Sequence, residues 1–210
     1  MRWHKCHHLW RPTPIDAAQR FLKLTKLAGQ TIRTSCMKTL TDCLAQYAAY
    51  HRDPRNLLSH FIGIPMIVLA VAVLLSRPGV EVFGLWLSPV ALVALVSTLF
   101  YLRLDLRFGV LMGAVLLFCV WVGAALGQQS TTLWLTAGAG LFVVGWIIQF
   151  VGHYFEGRKP AFVDDMTGLI IGPLFVAAEL GFIFGLREPL RHAIEARVGP
   201  VQLRQQSANA

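Results

Sequence analysis

The sequence predicts an all-α fold, a polytopic bundle of about four to five transmembrane helices with a short N-terminal amphipathic helix. Two observations support this fold class. Only 14% of the residues are charged, whereas a soluble domain carries about 25%. The apolar residues also form long runs, each close to the roughly 20 residues that cross a bilayer core. The runs cover approximately residues 57–76, 82–102, 108–127, 132–151 and 166–186.

The chain is expected to have three parts. Residues 1–36 are basic and lack a long apolar run, so we do not expect a secretory signal peptide there. We interpret them as an extension, disordered or partly folded as a surface helix at Ala17–Leu27, with the natural start at Met37. Residues 37–190 form the membrane-embedded domain, and residues 191–210 form a polar C-terminal tail.

One helix is expected ahead of the first apolar run. Thr41 and Asp42 are both good N-cap residues, so the helix begins near them and runs to about Arg52. Pro54 then ends it, because the residue before a proline disfavours the helical conformation.

Two short polar clusters lie at the ends of apolar runs. They are Tyr47-x3-His51-x4-Asn56-x3-His60, before the first run, and Gln149-x3-His153-x2-Glu156, after the fourth. Ionisable groups at the mouth of a membrane segment are costly, so they indicate a functional site. Spacings of three or four residues place side chains within a cluster on common helix faces. Because an even number of crossings separates the clusters, we expect His51, His60 and His153 to lie together on one membrane face.

The distribution of positive charge predicts that this face is cytoplasmic. The opposite side has only Arg77 in the loops between the first four runs, and cytoplasmic loops carry the excess of Lys and Arg. The residues on the histidine side are Arg52, Arg55, Arg103, Arg107, Arg158 and Lys159. The net charge of +8 therefore indicates contact with membrane lipids rather than nucleic acid, since no interleaved aromatic and basic stretch is present.

The fifth apolar run is interrupted by Gly172-Pro173 and Glu179. It is expected to be either a kinked span or a re-entrant element buried against protein. A fifth full crossing would place Arg187, Arg191 and Arg197 on the side opposite the histidines.

Three imidazoles beside a carboxylate match the ligands of non-haem iron, although zinc is also compatible. The candidate carboxylates are Glu156, Asp164, Asp165 and Glu179. Asn56 and Gln149 are expected to orient the rings. The alternatives are that each histidine contacts lipid headgroups and that Glu156 pairs with Arg158 or Lys159 at the surface. The four cysteines lack the paired spacing of a zinc knuckle or disulfide framework.

The two clusters together resemble the 2-hydroxy fatty acid dioxygenase family of integral membrane proteins. The resemblance is carried by Tyr50-His51-Arg-Asp-Pro54-Arg-Asn56-x3-His60-x2-Gly63-Ile-Pro65 and by Gln149-Phe-Val-Gly152-His153-x2-Glu156-Gly-Arg-Lys-Pro160-Ala161. It covers about residues 37–190 and leaves the first 36 outside.

This resemblance implies an Fe(II)-dependent enzyme that uses O2 as co-substrate to shorten a 2-hydroxy fatty acid by one carbon, without haem or 2-oxoglutarate. It implies that His51, His60 and His153 are the iron ligands, supported by Asn56 and Glu156. The expected location is the bacterial inner membrane or the endoplasmic reticulum.

A 2-hydroxy acid can chelate iron through its carboxylate and hydroxyl groups, and basic residues at the interface are expected to neutralise the carboxylate. The candidates are Arg52, Arg55, Arg158 and Lys159. Two other functions remain open, a bis-histidine haem protein that uses His60 and His153, and a non-enzymatic lipid-binding or scaffold protein. A histidine-box desaturase is disfavoured, because the chain has no set of closely spaced histidine pairs in its membrane region.

Overall fold

The computed structural model describes residues 38–158, 160 and 166–203. All the elements below belong to one compact unit that begins at Thr39. The expected N-terminal extension, including the helix at Ala17–Leu27, lies outside the described residues. So do Lys159, Asp164 and Asp165.

Helices dominate the described part of the chain, which confirms the predicted all-α membrane bundle. One two-stranded hairpin accompanies them. The elements in chain order are α1 (Leu40–Ala48), α2 (Pro54–Leu74), β1 (Val80–Val82), β2 (Leu85–Leu87), α3 (Pro89–Leu104), α4 (Leu106–Gly127), α5 (Thr131–Glu156), α6 (Gly168–Ile183) and α7 (Glu188–Val198).

The turn between α1 and α2 is longer than the sequence predicted. Thr39 caps α1 in a capping box with Asp42, and the helix ends at Ala48 rather than near Arg52. Asp53 caps α2 by accepting a hydrogen bond from the Arg55 N–H at 2.9 Å. Pro54 therefore begins the next helix, at the position where its missing N–H costs nothing.

Three of the described helices are long and apolar enough to cross a membrane, namely α2, α4 and α5. The second predicted run is shorter than expected, because its first residues form the β-hairpin. Phe83 and Gly84 link the two strands, and both have positive φ, as a tight two-residue hairpin turn requires. The helix that follows, α3, has 16 residues and extends about 24 Å.

The long helices alternate in direction, as crossing parity predicted. A Cβ added to Gly152 would meet Ser59, and one added to Gly138 would meet Leu74, so α5 runs antiparallel to α2. The N–H of Val90 donates to the Leu75 carbonyl at 3.1 Å, which starts α3 beside the end of α2. The N-terminus of α2 and the C-termini of α3 and α5 therefore share one end of the bundle, called here the histidine end.

Both ends of α6 lie at the histidine end. The Tyr101 hydroxyl, near the end of α3, donates to the Ile170 carbonyl at 2.7 Å, and Arg187 pairs with Asp105 after α3 at 2.7 Å. Taken together, α6 and α7 are long and apolar enough to form one more span, but one helix is bent by 114° relative to the other. Because both ends of α6 lie at the same end, the fifth run does not cross the bundle.

The C-terminal arginines consequently lie on the histidine side, not opposite it as five crossings would require. Arg187 contacts Asp105, and Arg197 pairs with Asp42 of α1 at 2.7 Å. Residues 191–198 of the segment expected to be a polar tail lie in α7, whose Ile194 is 2% exposed.

The main hydrophobic core lies beneath the histidine end, where α1, α6 and α7 meet. Leu44, Leu174 and Phe175 are fully buried there. In contrast, large apolar side chains such as Leu117 and Trp121 point outward along α4. Such a continuous apolar exterior belongs against lipid rather than water, so the protein is membrane-associated.

Candidate metal centre

The structure brings His51, His60 and His153 together. One ring nitrogen from each lies within 4.8 Å of the others. All three side chains are buried, with His51 fully enclosed. They come from three places, which are the turn before α2, the second turn of α2 and the last turn of α5. The convergence predicted from crossing parity is therefore observed.

Hydrogen bonds fix the orientation of two rings. The Nδ1 of His51 lies 2.7 Å from the Tyr47 carbonyl oxygen, and the Nδ1 of His60 lies 2.8 Å from the Asn56 carbonyl oxygen. A carbonyl can only accept, so each Nδ1 carries the proton and each Nε2 keeps its lone pair. Tyr47 also stacks on the His51 ring, with centroids 4.2 Å apart and planes 8° from parallel.

The ring nitrogens have the chemistry of a metal site. The His51 Nε2 and the His153 Nδ1 are buried and have no hydrogen-bond partner among the described residues. Burial, followed by the neighbouring His60, holds the pKa of His51 well below its ordinary value. Buried polar atoms normally have partners, and neutral imidazoles are common metal ligands. This donor set fits a divalent transition metal.

Glu156 supports the cluster without belonging to the group of three. Its Oε2 accepts hydrogen bonds from the backbone N–H of Arg52 at 3.0 Å and of Asp53 at 2.9 Å. It also accepts one from the Asn56 amide at 3.1 Å. With 2% exposure, this carboxylate is buried at the start of α2 rather than lying at the surface, as the alternative interpretation required.

Asn56 links this carboxylate to the histidines. Its side chain donates to Glu156, while its backbone carbonyl accepts from His60. Gln149 differs from the expectation that it orients a ring. It is buried, and neither its amide oxygen nor its amide nitrogen has a hydrogen-bond partner among the described residues.

A cavity of about 70 Å³ adjoins the cluster. Its polar walls are formed by Tyr47, His60, Gln149 and His153, and the rest of its lining is mainly apolar. The unpartnered amide of Gln149 is therefore at the wall of a small chamber beside two of the three histidines.

Comparison with known proteins identifies the family to which the chain belongs. A family model described as "2-hydroxy-palmitic acid dioxygenase Mpo1-like" matches residues 37–183, which include all three histidines. The chain belongs to the Mpo1-like family. A Saccharomyces cerevisiae protein, 2-hydroxy-palmitic acid dioxygenase MPO1, is 34% identical over 169 residues, covering 78% of this chain and 94% of the yeast protein. No solved structure matches the chain.

The predicted carboxylate-binding residues of this Mpo1-like chain differ in their surroundings. Arg52 is buried, and it donates to the carbonyls of Ala48, His51 and Gly199 and to the Glu179 carboxylate at 3.1 Å. These bonds hold the C-terminal segment and leave Arg52 fully engaged.

Two other arginines lie closer to the surface. Arg55 pairs with Asp53 at 2.8 Å and is partly exposed. Arg158 donates to the Ala49 carbonyl at 2.8 Å. Glu179, one of the carboxylates considered for the metal, is the buried partner of Arg52 rather than a member of the histidine group.

The helix contact that brings the three histidines together was not predicted from the sequence. Gly138, Gly145 and Gly152 are seven residues apart on α5, and each faces a side chain or backbone atom of α2. Small residues let membrane helices approach closely. The seven-residue spacing was visible in the sequence and is the signal that would have found this interface.

Proposed function

We propose that the protein is a membrane dioxygenase with non-haem iron that converts 2-hydroxy fatty acids to fatty acids one carbon shorter. One observation carries the proposal, which is a buried three-histidine group in a chain of the Mpo1-like family. The yeast relative is named a 2-hydroxy-palmitic acid dioxygenase, which supports both the O2 chemistry and the substrate class.

The metal would be held by His51 and His60 through Nε2, and by His153. Iron supplies the redox chemistry with O2 that zinc, which has no accessible redox state, lacks. The carbonyls of Tyr47 and Asn56 hold two of the rings in the tautomer that leaves Nε2 free. Such partners orient ligands and raise their basicity.

The chamber beside the histidines suits the polar head of a 2-hydroxy acid. The Gln149 amide offers both a donor and an acceptor, and the Tyr47 side chain also lines the chamber. Arg55 and Arg158, together with Lys159, are proposed to attract the carboxylate to the membrane surface, because positive charge near an interface concentrates anions. Arg52 is proposed instead to hold the fold around the site.

The proposed location is the bacterial inner membrane or the endoplasmic reticulum, with the histidine end facing the cytoplasm. The positive-inside rule supports this orientation. Arg187 and Arg197 are two further arginines at that end, and the rule counts Lys and Arg residues rather than net charge. Arg77, in contrast, lies beside the C-terminus of α4 and contacts the Gly127 carbonyl.

The proposal is tested by supplying 2-hydroxypalmitate, Fe(II) and O2 to membranes carrying the protein and measuring pentadecanoic acid. Wild type is expected to form this product, and His60→Ala and His153→Ala are expected to lose both product and bound iron. The matched control is His192→Ala, whose side chain is 72% exposed on α7. An iron-loaded wild type that forms no pentadecanoic acid would contradict the proposed reaction.

The haem alternative is disfavoured by the packing of the rings. The His60 and His153 rings lie edge to face with centroids 5.2 Å apart, and His51 packs against both. No space between them could admit a porphyrin. A Soret band in the purified protein would reverse this conclusion. Metal content and function unchanged in both His60→Ala and His153→Ala would favour the scaffold alternative.

A further inference from the structure

One face of α6 runs continuously over two cavities. Gly168, Leu169, Gly172 and Pro173 line the chamber beside the histidines. Pro173, Val176, Ala177, Leu180 and Gly181 line a second cavity of about 490 Å³. These positions follow steps of one, three and four residues, which place them on a single side of a helix. The two cavities therefore lie end to end beneath the same helix.

The two cavities adjoin where α6 crosses α2. Ile64, Val68 and Pro173 contribute to the lining of both. Beyond this point the second cavity continues between α2, α4 and α6, past Val115 and Phe118. The described residues that line it include no charged side chain and no amide or hydroxyl group. The chamber, in contrast, has polar walls at Tyr47, Gln149 and two of the histidines.

We infer that the second cavity is the channel for the acyl tail and that the face of α6 around Ala177 sets the length of chain accepted. The inference rests on the proposed function and commits to one occupant, a single saturated chain whose head lies at Gln149. Polar side chains line the chamber beside the histidines and, among the described residues, none lines the second cavity, which favours this orientation of an amphiphile. A volume of about 490 Å³ also lies in the usual range of small-molecule sites.

Selection by length in this channel is steric. A tail that moves from lipid into an apolar channel exchanges one apolar environment for another, so it gains little from the hydrophobic effect. Each further methylene is accepted only if the channel has room for it. Filling the second cavity should therefore exclude long chains more than short ones.

The test is Ala177→Phe, with turnover measured on 2-hydroxypalmitate and on 2-hydroxyoctanoate. The ratio of the two rates is expected to fall about tenfold or more, with iron content unchanged. Ala177→Leu, a smaller insertion, should give an intermediate ratio and guards against misfolding. The matched control is Ile183→Phe, on the same helix at a side chain 66% exposed, which should keep the wild-type ratio. An unchanged ratio in both Ala177 variants overturns the inference.

A second measurement needs no turnover. A 2-hydroxy acid carrying a diazirine at its terminal carbon is cross-linked to the protein in membranes, and the labelled residues are mapped by mass spectrometry. Labels are expected on Met112 or Cys119, which line the cavity and are buried, and labels mainly on lipid-facing Trp121 would overturn the channel. Channel labelling without any oxidation would contradict only the proposed function, so the two failures are distinguishable.

Discussion

At the scale of single residues, Glu156 raises the question of whether a carboxylate would complete the proposed metal site. Many non-haem iron sites combine two histidines with one carboxylate. Here Glu156 accepts two backbone N–H bonds and one amide bond from the segment between His51 and His60. This geometry gives it a positioning role, because it fixes the backbone that carries two of the three rings.

Replacing Glu156 separates positioning from ligation. Glu156→Ala should weaken iron binding by about 10- to 100-fold, the usual cost of losing a ligand-orienting partner, while His60→Ala should abolish it. Glu156→Gln keeps an acceptor oxygen and should be milder than alanine. Iron per protein is measured after dialysis against graded chelator, with Glu188→Ala on α7 as control. A glutamine variant as depleted of iron as His60→Ala would identify Glu156 as a ligand.

Replacing Gln149 should stabilise the protein and weaken substrate binding. A buried amide without partners costs about 1–3 kcal/mol, so Gln149→Leu should raise the thermal unfolding temperature in detergent. If the amide contacts the substrate head, the same variant should raise KM for 2-hydroxypalmitate and leave the iron content intact. The control is Gln129→Leu in the exposed loop before α5. A variant that is less stable, with unchanged KM, would contradict both expectations.

At the scale of elements, the contact between α2 and α5 determines whether the histidines meet. A Cβ on Gly152 would lie 1.8 Å from the Ser59 Oγ and 2.6 Å from the Asn56 Oδ1. Those two side-chain ends can rotate, but the Ser59 Cβ would also lie 2.8 Å away, so the helices must separate to accept even one methyl group. Because His153 follows Gly152 directly, this separation also displaces a proposed ligand.

Two alanine substitutions in α5 test this contact. Gly152→Ala should lower the free energy of unfolding by about 1–3 kcal/mol through overpacking and should also weaken iron binding. Gly140→Ala is the matched control, because a Cβ there would have nothing within 4 Å. This variant should be more stable by about 1 kcal/mol, since alanine has the higher helix propensity. Chemical denaturation in detergent and iron content are the measurements. Equal effects of the two variants would show that close approach is not limiting.

The elements also show which features were predictable. Hydrophobic runs and crossing parity predicted the meeting of His60 and His153, because a bilayer fixes both span length and direction. The hairpin within the second run was missed, since its apolar residues continue the hydrophobic pattern and only Phe83-Gly84 marks the turn. The position of α6 depends on pairs such as Arg52 with Glu179, 127 residues apart, which local patterns do not reveal.

At the scale of the whole molecule, ion pairs attach α6 and the residues around α7 to the rest of the bundle. Arg52 connects the turn before α2 to α6 and to the residues after α7. Arg187, between α6 and α7, is held by Asp105 between α3 and α4. These pairs keep both ends of α6 at the histidine end, which places one face of the helix over the chamber beside the histidines and over the second cavity.

The Asp105 pair makes stability depend on pH in a defined direction. Burial alone would raise the pKa of Asp105, but Arg187 and the N–H groups of Phe108 and Arg107 outweigh it and hold the pKa below its ordinary value. A lowered pKa in the folded state stabilises the protein above the unfolded value of about 4. That contribution is lost as the pH falls through the folded-state pKa.

Asp105→Asn removes the charge and keeps a good N-cap for α4. At pH 7 it should lower the free energy of unfolding by at most about 1 kcal/mol, since both partners of the pair are partly exposed. As the pH falls below 4, wild type should lose this advantage and the two unfolding temperatures should converge. Asp105→Ala, which also loses the cap, should remain less stable by about 1 kcal/mol throughout. The control is Glu81→Gln in the exposed hairpin, and a wild-type advantage that grows in acid would contradict the assignment of this pair.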